Sequence, residues 1–282
     1  MMTVSRRAKD FKQPRGGFLR PSEFMKIPLE DNVSLNPSEN IHPSIVGMTV
    51  DYLSRFTIGV NVEDAFAISL KGAREAERFL SAGCIRIAHN SLSKTKCLDI
   101  ANNYLSKIKG LDDESITYAC KLTSFDVWYR ASNMVALNSS NYKEINPDSF
   151  TISNIRAMVI RSNSFFNTYG PVTKFGFNFN PGPKAIDQER GGYTATITGG
   201  DGDFLTADTL WDIKVSKESP SSKHTLQLLM YWRMGIHSGQ DIYSGITRLG
   251  IFNPRLNIIH LLDISKIPEA TIATVEKDVI CY

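Results

Sequence analysis

The sequence predicts an α/β (α+β) fold in which helices flank a mixed central β-sheet and the N-terminal half is helical. Two observations carry this prediction. Apolar residues recur at helical spacing through much of the chain up to about residue 166. After Gly170 the pattern changes to short β-branched and aromatic runs separated by Gly and Pro, which is typical of strands and turns.

The composition places the chain among soluble globular proteins. Its 282 residues suffice for a substantial core, and its net charge is only +3. No run of about eighteen apolar residues occurs, so we expect no membrane span. The start, from Met1 to Arg20, is basic and polar and lacks the apolar stretch of a secretory signal. We therefore expect a cytoplasmic protein.

Three segments follow from the changes in composition. Residues 1–38 form a basic, irregular N-terminal segment, residues 39–150 a mainly helical region, and residues 151–282 an α/β core. A solvated, partly disordered tail is the simplest interpretation of the first segment, and a phosphate-contacting arm is the alternative. Its basic residues are Arg6, Arg7, Lys9, Lys12, Arg15, Arg20 and Lys26.

The helical region begins with an amphipathic pattern at Pro43 that Gly59 is expected to end. Asp112 and Asp113 suit the N-terminus of a later helix, because acidic side chains stabilise that end. Residues 138–147 are predicted to be a loop, and Ser153 is predicted to cap the last helix. The predicted helices after the first are 62–82, 93–108, 113–136 and one ending near Phe166.

The α/β core is predicted to contain short strands and one long helix. Gly235 is expected to close that helix, and Asn253–Pro254 is expected to form the turn of the last hairpin. The predicted elements are strands 174–180, 193–198, 204–206 and 209–215, a helix over 222–234, and strands 246–252 and 257–264.

The four cysteines do not indicate a metal or disulfide framework. No pair has the CxxC spacing of a zinc site, and their scatter does not suit an iron–sulfur cluster. We expect reduced, structural thiols at Cys84, Cys97, Cys120 and Cys281.

The hairpin predicted between residues 204 and 215 carries the most informative polar residues. Side chains alternate along a strand, so Trp211 and its alternate neighbours face the core while Asp212 and Lys214 share the other face. With the turn at Ala207–Asp208, Phe204 faces Trp211, and the position before Phe204 faces Asp212. That position is also an aspartate, Asp203.

Two opposed carboxylates repel each other unless a positive charge lies between them. A Mg²⁺ or Mn²⁺ ion held by Asp203 and Asp212, with the Ile213 carbonyl as a further ligand, removes the conflict and activates water for attack on a phosphate. Lys214 then orients or deprotonates that water, or offsets developing charge. The alternative is a glycine-rich turn or single calcium-binding repeat at residues 199–203.

The helix after this hairpin carries Gln227 and Tyr231 four residues apart, and therefore on one face. By itself this spacing is typical of a buried amphipathic stripe. Lys223 lies near the helix N-terminus, where phosphate binds readily. His224, one turn before Gln227, is expected to have a surface role rather than to bind a metal.

The combination of Asp203, the Asp212-Ile213-Lys214 strand and Gln227-x-x-x-Tyr231 resembles the PD-(D/E)xK nuclease superfamily, in the branch with RecB-type nuclease domains, lambda exonuclease and Cas4 proteins. The match covers roughly residues 190–265. The resemblance implies a restriction-endonuclease-like core and a metal-dependent DNA nuclease. Asp203, Asp212, Lys214, Gln227 and Tyr231 match the catalytic positions of that family.

The resemblance also implies a further acidic residue or histidine from an upstream helix. Asp51, which follows Gly47 on one helical face, is the first candidate as a metal ligand; an i, i+4 ion pair with Arg55 is the alternative. Glu39 and His42 are weaker candidates. The helical insertion over residues 60–150 departs from the family core, and the iron–sulfur cysteines of Cas4 proteins are absent.

The sequence therefore predicts a DNA nuclease that requires Mg²⁺ or Mn²⁺, with RNA as a possible substrate. Two other classes remain open at this stage. One is a nucleic-acid-binding protein on the same fold whose catalysis has lapsed. The other is a calcium-binding interaction domain built on the turn at residues 199–203.

Overall fold

The computed structural model describes residues 2–81, 96–131, 135–137 and 144–282. It divides into an α/β unit, formed by Met1–Asp31 and Phe165–Tyr282, and a helical unit, Asn32–Ser164. The predicted α+β class is confirmed, because a six-stranded mixed sheet is accompanied by helices. Cys84 and residues 138–143 of the predicted loop lie outside the described residues. Among the helices described, none has the length and apolar character needed to cross a membrane.

One six-stranded sheet forms the centre of the α/β unit. Its strand order is β1-β6-β5-β4-β3-β2. β4 and β5 are parallel, and all other neighbouring pairs are antiparallel. The strands are β1 (Met25–Pro28), β2 (Lys174–Phe175), β3 (Phe204–Leu205), β4 (Thr209–Ile213), β5 (Arg248–Asn253) and β6 (Ile258–Asp263).

The first face of the sheet packs through aromatic side chains. Phe165 stacks on Phe252 with ring centroids 4.2 Å apart and meets Trp211 edge-on at 4.9 Å. Trp211 pairs with Gly250 on the neighbouring parallel strand. A Cβ atom at Gly250 would lie 2.3 Å from the indole ring, so only glycine leaves room for Trp211 there.

The opposite face of the sheet packs against a long helix of residues 222–237 and carries the aliphatic core. Leu205, Leu210, Leu249 and Ile251 are buried in one cluster with the apolar side chains of that helix. By strand alternation and the β4–β5 register, Asp212 lies on this face beside Ile251. A carboxylate is thus set into an otherwise apolar layer.

The prediction of an irregular segment over residues 1–38 was wrong for two parts of it. Helix α1 (Val4–Asp10) begins at Thr3, whose side chain accepts a hydrogen bond from the Arg6 amide, and it buries Val4 and Ala8. Strand β1 pairs along its full length with β6 at the edge of the sheet. Both elements are stabilised by partners distant in sequence, which the basic composition of the segment does not reveal.

The helical unit confirms some predicted helices and corrects the bounds of others. The first helix begins at Pro43 as predicted, and Gly59 adopts a left-handed φ of 103° just beyond its end. The helix predicted at 62–82 is two helices, and the one predicted at 113–136 is interrupted at Ser124. The helices are α2 (Pro43–Thr57), α3 (Val62–Ala65), α4 (Ala67–Ser81), α5 (Cys97–Leu105), α6 (Asp113–Thr123) and α7 (Asp126–Arg130).

Helix α8 (Ser149–Tyr169) starts earlier than predicted, because Asp148 rather than Ser153 accepts a backbone hydrogen bond in the first turn, from the Thr151 amide at 2.8 Å. Its residues from Phe165 onward belong to the α/β unit. The predicted cap at Asp112 is confirmed, since its side chain accepts from the Ser115 amide.

One predicted strand is shorter than expected, and another is absent. Only Lys174–Phe175 of the segment 174–180 is a strand, because Gly176 turns the chain with a φ of 61°. Residues 193–198 form a turn instead, in which the Thr194 hydroxyl accepts hydrogen bonds from the amides of Thr196 and Ile197.

The long helix of the α/β unit, α9 (Ser222–His237), continues past Gly235, which the sequence had suggested as its end. A Cβ atom at Gly235 would lie 2.4 Å from the Tyr243 ring. The glycine therefore allows α9 to pack closely against Tyr243. The last predicted hairpin is confirmed as the antiparallel pair β5–β6. A short helix α10 (Glu269–Thr274) and a π-helical turn, Val275–Ile280, follow.

Candidate active site

The β3–β4 hairpin sets the geometry of the site. Phe204 pairs with Trp211 and Leu205 with Leu210, which is the register predicted from the sequence. The amide of Thr206 donates to the Thr209 carbonyl at 3.0 Å and closes the turn at Ala207–Asp208. The pairing of β3 with β4 brings residue 203, just before β3, toward the end of β4.

Asp203 is tied to the end of β4 by its side chain. Its Oδ2 atom accepts a hydrogen bond from the Ile213 amide at 2.6 Å, and the residue is half-buried. This charge-assisted hydrogen bond from a backbone amide fixes the position of the carboxylate. Asp203 therefore lies beside Ile213, the residue that follows Asp212, at the end of the hairpin where the register predicts it.

Asp212 and Lys214 form a close ion pair. The Lys214 Nζ atom lies 2.7 Å from Oδ2 and 2.9 Å from Oδ1 of Asp212. Asp212 is only 3% exposed, whereas the Lys214 side chain is 25% exposed. A buried carboxylate requires a nearby positive charge, and this ammonium supplies it. Residues two apart on a strand share a face, which explains the contact.

Helix α9 contributes Gln227 and Tyr231 on one face. The Gln227 amide nitrogen donates to the Tyr231 hydroxyl at 2.7 Å. Burial raises the pKa of Tyr231 strongly, and the negative charges of Asp212 and then Asp203 raise it further. The hydroxyl therefore stays protonated at neutral pH and lies within electrostatic reach of both carboxylates.

Ser5, on helix α1, is a member of the site that the sequence analysis missed. Gln227 Nε2 donates a second hydrogen bond to Ser5 Oγ at 2.7 Å, and the Ser5 hydroxyl also bonds to Tyr231. The available signal was the capping residue Thr3 followed by apolar residues at Val4 and Ala8, which together indicate a short helix.

His224 lies at the start of α9 and caps the helix. Its Nδ1 atom accepts from the Ser221 amide at 3.1 Å, in a capping box with Ser221. Burial lowers the pKa of His224 to about 4, and the charges of Lys214 and Lys223 contribute. The ring is therefore neutral at pH 7, and the two lysines lie near it.

The upstream candidates have other partners in the helical unit. Asp51 forms a bidentate ion pair with Arg55, at 2.9 and 2.7 Å, which is the alternative considered for it. The Glu39 carboxylate accepts a hydrogen bond from the Asn154 side-chain nitrogen Nδ2 at 3.0 Å. His42 caps helix α2 through the Ser44 amide. Their roles at a metal stay predictions.

The oxygen donors at the end of the hairpin are the carboxylates of Asp203 and Asp212. Within the described residues, no group of three or more His, Cys, Asp or Glu side chains is placed to hold a metal ion. Mg²⁺ is commonly bound by one or two carboxylates and keeps several waters, whereas Ca²⁺ takes six to eight oxygens and structural Zn²⁺ takes His and Cys. Two carboxylates therefore fit Mg²⁺ or Mn²⁺ best, and the predicted Ile213 carbonyl ligand stays a prediction.

Comparisons with known proteins identify no relatives. Neither a protein-family model, nor a curated protein, nor a solved structure matches this chain. The function must therefore be inferred from the site.

Proposed function

We propose that this chain is a metal-dependent DNA nuclease that uses Mg²⁺ or Mn²⁺ to hydrolyse phosphodiester bonds. One observation carries the proposal. Asp203 is bound to the Ile213 amide, next to Asp212, at the end of one hairpin, and the Lys214 ammonium lies 2.7 Å from Asp212. The Tyr231 hydroxyl is within electrostatic reach of both carboxylates. Polar groups of these types, collected in an apolar layer, are typical of a site for charged chemistry.

The divalent ion, when bound by Asp203 and Asp212, would polarise a phosphate oxygen and lower the pKa of water. Lys214 lies where its ammonium can stabilise negative charge. Its ammonium neutralises Asp212 in the free protein and lies close enough to stabilise the negative charge that develops on a phosphate during attack. Its partial exposure leaves it accessible to substrate.

Tyr231 and Gln227 act as donors in this proposal. Because the pKa of Tyr231 is raised, its hydroxyl keeps its proton and cannot act as a base at neutral pH. A protonated hydroxyl instead donates a hydrogen bond to a carboxylate or to a phosphate oxygen. Gln227 fixes that hydroxyl from a position four residues earlier on the helix.

DNA is the proposed substrate, and RNA has the same phosphodiester chemistry. The predicted cytoplasmic location stays a prediction. A catalytically lapsed, nucleic-acid-binding protein remains the main alternative, and cleavage separates the two directly.

The experiment is a cleavage assay with linear, circular and single-stranded DNA in Mg²⁺, Mn²⁺ or EDTA. We expect cleavage by the wild type with either metal, none in EDTA, and a loss of at least about 100-fold in Asp212→Asn and Lys214→Ala. Asp201→Asn is the matched control. It removes an exposed carboxylate two residues before Asp203 and should leave cleavage unchanged.

Three results would contradict the proposal. Asp212→Asn protein that cleaves as fast as the wild type would exclude the site. Metal-independent DNA binding without cleavage of any DNA form would favour the lapsed nuclease. Loss of activity in Asp201→Asn together with a strict requirement for Ca²⁺ would favour the turn at residues 199–203 instead.

A further inference from the structure

The N-terminal arm, defined as residues 3–20, lies against the first half of helix α9. Beyond the contact of Ser5 with Gln227, two hydrogen bonds hold it there. Gln13 Nε2 donates to the Ser222 carbonyl at 3.1 Å, and the Thr225 hydroxyl donates to the Leu19 carbonyl at 2.5 Å. The arm therefore follows α9 from Tyr231, beside the two carboxylates, to the helix N-terminus.

The arm carries cations without acidic partners. Its one acidic residue, Asp10, is paired with Arg6 at 3.4 Å. Arg7 is bound to the carbonyls of Val279 and Asp278. Within the part of the chain that the structure describes, no ion pair involves the remaining four basic residues, and all four are exposed: Lys9, Lys12, Arg15 and Arg20.

The chain opposite the arm is basic as well. At the start of α9 it carries the exposed Lys223. Close packing brings the two segments together, because a Cβ atom at Gly17 would lie 2.5 Å from the Ser222 Cβ atom. Exposed like charges gathered on one surface repel each other, and a polyanion relieves that repulsion.

We infer that the arm and the start of α9 form a surface that binds the phosphate backbone of nucleic acid and leads it to Asp203 and Asp212. This inference rests on the proposed function for its choice of a nucleic acid over other polyanions. Lysine and arginine contacts to phosphate release counterions and carry no sequence information. Binding is therefore independent of sequence and falls steeply with salt.

The test measures binding of fluorescently labelled DNA by anisotropy in EDTA, where no cleavage interferes. The variant Lys12→Gln/Arg15→Gln removes two exposed cations of the arm. We expect its Kd to rise about tenfold at low salt, and its slope of log K against log salt to become shallower by roughly 1.5–2, the value for two lost phosphate contacts.

The matched control is Lys184→Gln/Arg190→Gln, with the same change in charge. The Lys184 amide donates to the Gly239 carbonyl, just beyond the far end of α9, which is about 24 Å from Ser222 by helical rise. We expect this control to keep both the wild-type Kd and the wild-type slope. Thermal unfolding of both variants should match the wild type, because all four side chains are exposed.

An unchanged Kd in the arm variant would overturn the inference. An equal loss of DNA affinity in the control variant would overturn it as well. Equally tight, arm-dependent binding of poly-glutamate would overturn the choice of nucleic acid. The experiments distinguish failure of the proposed function from failure of this inference. Arm-dependent DNA binding by a wild type that cleaves nothing would support this inference and contradict nuclease activity.

Discussion

The Gln227 side chain is held by two hydrogen bonds that fix its orientation. Its amide has two N–H donors, and the structure uses one on Tyr231 and one on Ser5, both at 2.7 Å. Gln227 is only 7% exposed, so water does not replace either partner readily. Ser5 therefore positions the donors of the site although it comes from the other end of the chain.

Removal of the Ser5 hydroxyl tests this role. We expect Ser5→Ala to lower the rate of cleavage about tenfold and the free energy of unfolding by about 1 kcal/mol, the usual value of one hydrogen bond. Ser5→Thr keeps the hydroxyl and should restore the rate.

A double-mutant cycle with Tyr231→Phe separates positioning from stability. Because Ser5 acts through Gln227 and Tyr231, we expect the two changes in rate to be strongly non-additive. Additive effects, or a Ser5→Thr variant as slow as Ser5→Ala, would show that Ser5 has only a structural role.

At the scale of elements, the N-terminus of α9 couples helix capping to pH. Folded His224 has a pKa of about 4, whereas the unfolded chain titrates near 6.5. Between these values the unfolded state binds a proton that the folded state does not, so the free energy of unfolding falls as the pH falls through this window.

Replacement by glutamine isolates this contribution. Glutamine suits the same capping-box position and does not titrate. We expect wild type to lose about 1 kcal/mol more stability than His224→Gln between pH 7 and pH 5, less than the full shift implies because the ring is partly exposed. Urea unfolding at both values measures the difference. If the free energy of unfolding falls equally with pH in wild type and His224→Gln, the low pKa assigned to folded His224 is contradicted.

The packing of the parallel pair β4–β5 depends on Gly250, which lies against the Trp211 indole ring. Because a Cβ atom at Gly250 would lie 2.3 Å from the Trp211 ring, we expect Gly250→Ala to lower the free energy of unfolding by about 1–3 kcal/mol through overpacking. Gly110→Ala is the control, since its Cβ meets nothing closer than 3.9 Å and φ is not positive. Urea unfolding compares the two. An equal loss in both variants would contradict the packing argument.

At the scale of the whole molecule, locally determined features were predictable. The hairpin register follows from alternation and the turn at Ala207–Asp208, and it brought Asp203 to the end of β4 as expected. The cap at Asp112 and the class of fold follow from equally local signals. These predictions needed only residues close together in the sequence.

Features fixed by distant partners were not predictable. Strand β1 forms because β6, more than 200 residues later, offers an edge. Ser5 joins the site only because α1 docks on α9. The strand predicted at 193–198 is lost because the Thr194 hydroxyl bonds to nearby amides and donates to the Ile280 carbonyl. In each case a tertiary contact outweighs local propensity.

Metal binding by Asp203 and Asp212 is the central claim, and Mn²⁺ titration followed by electron paramagnetic resonance tests it without reference to activity. We predict that wild type binds Mn²⁺ and that Mg²⁺ displaces it. Asp203→Asn and Asp212→Asn should each weaken binding by about 100-fold, while Asp201→Asn should not. Unchanged Mn²⁺ affinity in the Asp203→Asn and Asp212→Asn proteins would contradict the account.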